Sequence, residues 1–140
     1  MSRASPAMRQ FARRLIECES TKIKSHEAFP GPERLRPSLT ALMGSGGFRA
    51  LLSRALALAS AEVRWLRVVQ VKADGTFEGA EALYERIDPS EFREGRVVLL
   101  AQLLGLLVAF IGANLTARLV KETWPRITLD DLELANEREK

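Results

Sequence analysis

The chain contains one cysteine, Cys18, and one histidine, His26. A single cysteine excludes an intrachain disulfide and fits a reducing compartment. A lone Cys–His pair falls short of the three or four ligands that a stable zinc site needs. The same pair is the minimum for nucleophilic chemistry, but a lone loop histidine is ordinarily just a solvated side chain. Aromatic residues make up only 6% of the chain. The stacking platforms of single-strand nucleic-acid binders are therefore missing. The first fourteen or so residues lack the short apolar core and small-residue cleavage site of a secretory signal. Arg3, Arg9, Arg13 and Arg14 give that segment the look of a mitochondrial presequence, although an ordinary amphipathic first helix accounts for the same pattern. Charge is missing altogether from 97–115.

What is present is mostly apolar and mostly suited to helices. At 140 residues with 46% apolar content, the chain is long enough for one domain with a real core. Leu and Ala dominate, which favours helix over sheet. The net charge of +3 permits an acidic partner without demanding one.

Periodicity places the elements. Ser5-Pro6 reads as a helix start, and Met8, Phe11, Ala12, Leu15 and Ile16 then share one face of a helix over 5–24. Pro30, Gly31 and Pro32 make a loop. A helix over 33–43 turns Leu35, Leu39, Leu42 and Met43 inward, with Pro37 breaking it or marking its true start. Gly44-Ser45-Gly46-Gly47 reads as a flexible turn. A helix over 48–69 follows, with Phe48, Leu51, Leu52, Ala55, Leu56, Ala59, Val63 and Leu66 on its inner face. The alternation at 68–72 and the Asp74-Gly75 turn signal admit a small hairpin within 68–78, but a loop between helices is the preferred reading. One or two helical turns are expected over 81–87. Asp88, Pro89 and Glu91 then form a capped helix start. A single helix from there to Pro125 would span about 54 Å. A globule of this size is roughly 35 Å across, so the helix is expected either to bend, at Gly95, or to protrude. The expected domain is 1–127, followed by a charged tail or short helix over 128–140.

The central feature is the apolar stretch 97–120. Ala101, Gly105, Ala109, Ala113 and Ala117 recur along it at fourfold spacing, which forms one ridge on a helix. Small residues there let a second helix approach closely. Ala57 and Ala61 on the 48–69 helix supply a matching ridge, so those two helices are expected to cross at short distance. Replacing Gly105 with Leu is then expected to cost several kcal/mol by overpacking. Asn114-Leu115-Thr116 matches a glycosylation sequon but sits where a glycan has no room.

The remaining motifs are incomplete. Asp74, Gly75, Phe77 and Glu81 match part of an EF-hand loop, yet Lys72 occupies a position that needs a carboxylate. The glycines at 44–47 precede a helix but lack the Lys and Ser or Thr of a phosphate loop. Arg9, Arg13, Arg14, Arg34, Arg36, Arg49, Arg54, Arg64 and Arg67 are spread over several helices, either gathered into one patch for phosphate or anionic lipid or, as is more usual, serving as solvated faces that pair with Glu17, Glu33 or Glu62. The expected fold is all-α: a bundle of about five helices around the very apolar helix at 97–120. The expected function is non-enzymatic, a small cytoplasmic interaction or regulatory protein with no cofactor, metal or small-molecule substrate. Its apolar helix would be buried in its own bundle or in a protein partner, a second copy included. The rival reading is a membrane-embedded protein with one transmembrane helix at 97–115.

Overall fold

The computed structural model describes residues 6–19, 34–72, 77–79 and 86–124. Among these the chain is mostly helical and forms four helices: α1 (Pro6–Glu19), α2 (Arg36–Glu62), α3 (Pro89–Ile111) and α4 (Ala113–Thr123). A 3-10 turn (Arg64–Val68) and two short strands, β1 (Gln70–Val71) and β2 (Phe77–Glu78), lie between α2 and α3. The strands pair antiparallel, Gln70 with Glu78 and Val71 with Phe77. The hairpin is therefore formed where a loop was preferred. The expected turns at 81–85 and the tail at 128–140 lie outside the described residues.

The amphipathic pattern of α1 is realised as read, with Met8, Phe11, Ala12, Leu15 and Ile16 all buried. Helix α2 starts at Pro37 in its first turn and is interrupted only at Gly44, whose φ of 82° is non-helical. Ser45, Gly46 and Gly47 are helical rather than part of a flexible turn. Leu35 and Leu39 enter the core and Met43 packs against it, but Leu42 is exposed. Beyond the break Phe48, Leu51, Leu52, Ala55, Leu56 and Ala59 are buried.

Helix α3 begins as the sequence implied. The Asp88 carboxylate accepts from the Ser90 backbone N–H at 3.0 Å and from the Ser90 hydroxyl. These bonds hold the Asp88 carboxyl below its usual value and satisfy a free N–H of the first turn. Helix α1 runs antiparallel to α3. Arg13 meets Glu94 near the start of α3, whereas Arg9 lies on Glu62, and Glu62 in turn holds Gln102, about two turns farther along α3. Every residue from Gly95 to Leu104 is buried.

The long helix is not bent at Gly95. It breaks at Gly112, with φ 90° and ψ 160°. The break is one residue long: Gly112 N–H donates to Val108 O at 3.0 Å and Gly112 O accepts from Thr116 N–H at 3.1 Å. The expected single helix at 97–120 is thus two, and α4 returns Leu119, Val120 and Trp124 to the same core. Gly95 stays helical because its missing side chain serves another purpose. A Cβ there would overlap Trp65, with Cε2 and Cη2 at 2.9 Å. At Gly105, by contrast, a Cβ would meet nothing within 4 Å. The close crossing on α3 lies at Gly95, and the overpacking expected at Gly105 is not supported.

Gly95→Ala should therefore destabilise the fold by about 1–3 kcal/mol, and Gly105→Ala should leave it unchanged or raise it by up to about 1 kcal/mol through helix propensity. Urea unfolding of the two variants beside the unmodified chain checks both signs. Gly112→Ala should cost about 1–2 kcal/mol, since a side chain is strained at that positive φ; the midpoint of thermal unfolding reports it.

Candidate functional site

The sequence pointed to the small-residue ridge. Of its members Ala101 is buried, Gly105, Ala113 and Ala117 are half-buried, and Ala109 is exposed. The break at Gly112 cuts the ridge, leaving Ala113 and Ala117 on α4. Ala57 and Ala61 are exposed on α2, so they do not face the ridge. Helices α2 and α3 are neighbours, as expected, but the buried side of α2 is its Leu51, Leu52, Ala55, Leu56 and Ala59 row.

Two other places on α3 carry the geometry that the ridge does not. The first is a polar junction of three helices. Glu62, the last residue of α2, is only 8% exposed and is paired with Arg9 of α1. Its other oxygen accepts from Gln102 Nε2 of α3 at 2.8 Å. A carboxylate at a helix C-terminus faces the negative end of the helix dipole, and burial adds a desolvation cost. Arg9 and Gln102 together offset both. One turn farther along α1, Arg13 grips Glu94 with both terminal guanidinium nitrogens, Nη2 donating to Oε1 at 2.9 Å. The Arg13 contact holds the Glu94 carboxyl below its usual range, with Arg9 and Arg93 adding to the effect.

Beside this lies an aromatic wedge. Trp65 stacks on Phe92, ring centroids 5.3 Å apart and 15° from parallel. The buried Arg96 guanidinium lies 5.7 Å from the Phe92 ring centre. Trp65 is seated over Gly95, so the wedge pins the 3-10 turn to the first two turns of α3.

The second place is the far end of α3. Phe110 is 68% exposed, and Ala109 and Gly112 are exposed beside it. Gly105, Leu106, Val108, Ile111, Ala113 and Leu115 are half-buried. No side chain in 105–113 is polar, although many of these positions touch solvent. The same helix is long and apolar enough to cross a membrane by length and composition, with just over half of its most apolar window inside the bundle. The rival reading of a span at 97–115 meets two facts here: the first half of that segment is enclosed by protein, and the helix ends at Gly112.

The other candidates gather into no site. His26 lies outside the described residues, as do Asp74 and Glu81. Gln70 sits in a strand rather than at the end of the helix that would lead into an EF-hand loop. Among the described residues no group of three or more His, Cys, Asp or Glu is placed to hold a metal ion. Of the named arginines, Arg9 pairs with Glu62, Arg49 Nε donates to Lys72 O at 3.2 Å and Arg67 Nε donates to Ser60 O at 3.3 Å. The junction escaped sequence reasoning beyond the pairing of an arginine with Glu62. Its one signal was Gln102, the polar residue inside an apolar helix, since a buried amide needs a partner.

The fold defines a small, all-α class of protein with a solvent-facing apolar helix end. No protein-family model matches the chain, and no curated protein and no solved structure matches it.

Arg9→Ala should destabilise the protein by about 2–3 kcal/mol by leaving Glu62 buried without its charge partner. Arg13→Ala, at an exposed pair, should cost no more than about 1 kcal/mol. Chemical denaturation of both variants tests the ranking. The Glu94 carboxyl is depressed in the folded state, so its contribution is present above the ordinary glutamate range and disappears as pH falls through the depressed value. Glu94→Gln should accordingly flatten the acid side of the stability–pH curve and leave its alkaline side unaltered.

Proposed function

We propose that this is a non-enzymatic interaction protein whose contact surface is the apolar end of α3 around Phe110. The observation that carries the reading is the 68% exposure of Phe110 within a helix segment that offers solvent no polar side chain. Burying a phenylalanine is worth about 1.5–3 kcal/mol, so a contiguous apolar patch left open is a cost that a partner removes. The small, exposed Ala109 and Gly112 beside it leave room for that partner to approach the α3 backbone. The bundle itself is the scaffold: the Arg9–Glu62–Gln102 junction and the Trp65 wedge fasten α3, and Phe110 faces solvent from its far end. A protein partner, a second copy and a membrane surface all belong to this reading. Cytoplasmic location is the accompanying expectation.

Phe110→Asp separates the surface from the scaffold. Its unfolding midpoint should match that of the unmodified chain to within about 0.5 kcal/mol, as for an exposed position. Fractionation of expressing cells, followed by sizing of the soluble part, should place the unmodified chain with membranes or in a species larger than a monomer. The Asp variant should run as a free monomer. Two free monomers would overturn the reading.

A further inference from the structure

We infer that the exposed face of α2 beyond Gly44 docks on the phosphate backbone of duplex DNA, through residues other than those at the Phe110 end. Every exposed charge between Thr40 and Lys72 is a cation: Arg49, Arg54, Arg64, Arg67 and Lys72. The one acid in that interval, Glu62, has its side chain buried and is paired with Arg9. These cations converge on no single point and make no pocket; the fold sets them along one helix. Arg49 Nε donates to Lys72 O at 3.2 Å, and Arg67 Nε donates to Ser60 O at 3.3 Å. The chain that follows α2 therefore turns back along it, and Arg67 and Lys72 stand on the flank that carries Arg49 and Ser60. Each of these bonds uses the inner nitrogen and so fixes the guanidinium. The terminal nitrogens, which grip phosphates as a fork, meet no carboxylate among the described residues.

The spacing suits a duplex. Ser60 lies about three turns past Arg49, so the two fixed guanidinium groups share one flank, about 16 Å apart along the axis. Arg54 stands between them in height but about 140° round the helix, on the opposite border of the exposed face. Between the two borders lie Ala50, Ser53 and Ala57, all exposed and too short to hold a duplex away. A helix is about 10–12 Å across, close to the ~12 Å width of the major groove. Cations on its two borders can then reach the phosphates on either side, which follow one another at ~3.4 Å steps along each strand. On α2 beyond Gly44 no large apolar or aromatic side chain is exposed. Unpaired bases have nothing to stack on there, and nothing there enters a bilayer. Glu78 of the hairpin stands across from Gln70, near Lys72, so the arginines carry the contact.

The test is fluorescence anisotropy of a labelled duplex DNA of arbitrary sequence, titrated with the full chain at a series of salt concentrations. Association is expected at low salt, and log K should fall against log salt with a slope of about −3 to −4, as for four neutralised phosphates. Arg54→Gln and Arg64→Gln should each lessen that slope by about one and weaken binding equally on unrelated sequences. Both variants should keep the unfolding midpoint of the unmodified chain, as exposed positions do. No association at low salt overturns the inference. So does a slope that neither variant changes, because the cations of α2 are then not the ones neutralised. Tighter binding to a single strand overturns the duplex as occupant. Binding to phosphatidylcholine–phosphatidylserine vesicles or to polyglutamate that matches binding to the duplex overturns it too, since the face then recognises lipid headgroups or carboxylates instead.

Discussion

A helix that is apolar on every side has to be enclosed, and the enclosure of α3 from Gly95 to Leu104 is the constraint on which the rest of this structure depends. Two helices, α1 and α2, pack on it and bring Phe11, Leu15, Ile16, Leu52, Ala55 and Ala59 into one core with Leu99, Leu100 and Leu103. Burial of that many side chains is the main favourable contribution to the fold. It is also non-directional, so it does not by itself choose the register in which α1 and α2 settle on α3. Register comes from the polar contacts. Glu62 accepts Gln102 from α3 and Arg9 from α1, while Arg13 clasps Glu94. A shift of α2 along α3 by one turn would part the 8%-exposed Glu62 side chain from Gln102, and a buried charge that loses a hydrogen-bond partner is expensive.

The enclosure is deliberately partial in its effect on chemistry. It removes the first half of α3 from any contact with a partner and leaves the second half presenting Phe110. Gly112 then turns the chain so that Trp124, Leu119 and Val120 close the core from the other side. A continuous helix through 112 would have carried those side chains outward. The solvent-facing apolar segment is thus a by-product of a fold whose ends are both fastened: the Trp65–Phe92 stack at one, the α4 return at the other.

Much of this was legible from residue order. The inward faces of α1 and of the 48–59 part of α2 follow from 3.6-residue periodicity, since the same side chains must be buried whatever they meet. The start of α3 follows from Asp88 and Pro89, because capping is a local matter of a side chain reaching its own backbone. What was not legible involved partners distant in sequence. Gly95 and Gly112 look alike in the chain, and length alone suggested a bend at the first. Only the seat of Trp65 explains why Gly95 stays helical, and only the return of α4 explains why the turn falls at Gly112. The ridge of Ala57 and Ala61 was a misreading of the same kind. Fourfold spacing of small residues says that a close approach is allowed, not that a neighbour is present, and the leucine row of α2 won the contact because it buries more apolar surface.

The sequence by itself determined that the chain is helical, where its amphipathic faces lie and that 97–115 would need enclosure, because propensity, periodicity and the absence of charge are local properties. The tertiary structure decided how far that enclosure reaches. It divided one apolar run at Gly112, buried the first part under α1 and α2, and left Phe110 outside. That division depends on which side chains fill the space against α3, and those come from residues that the chain brings together only when it folds.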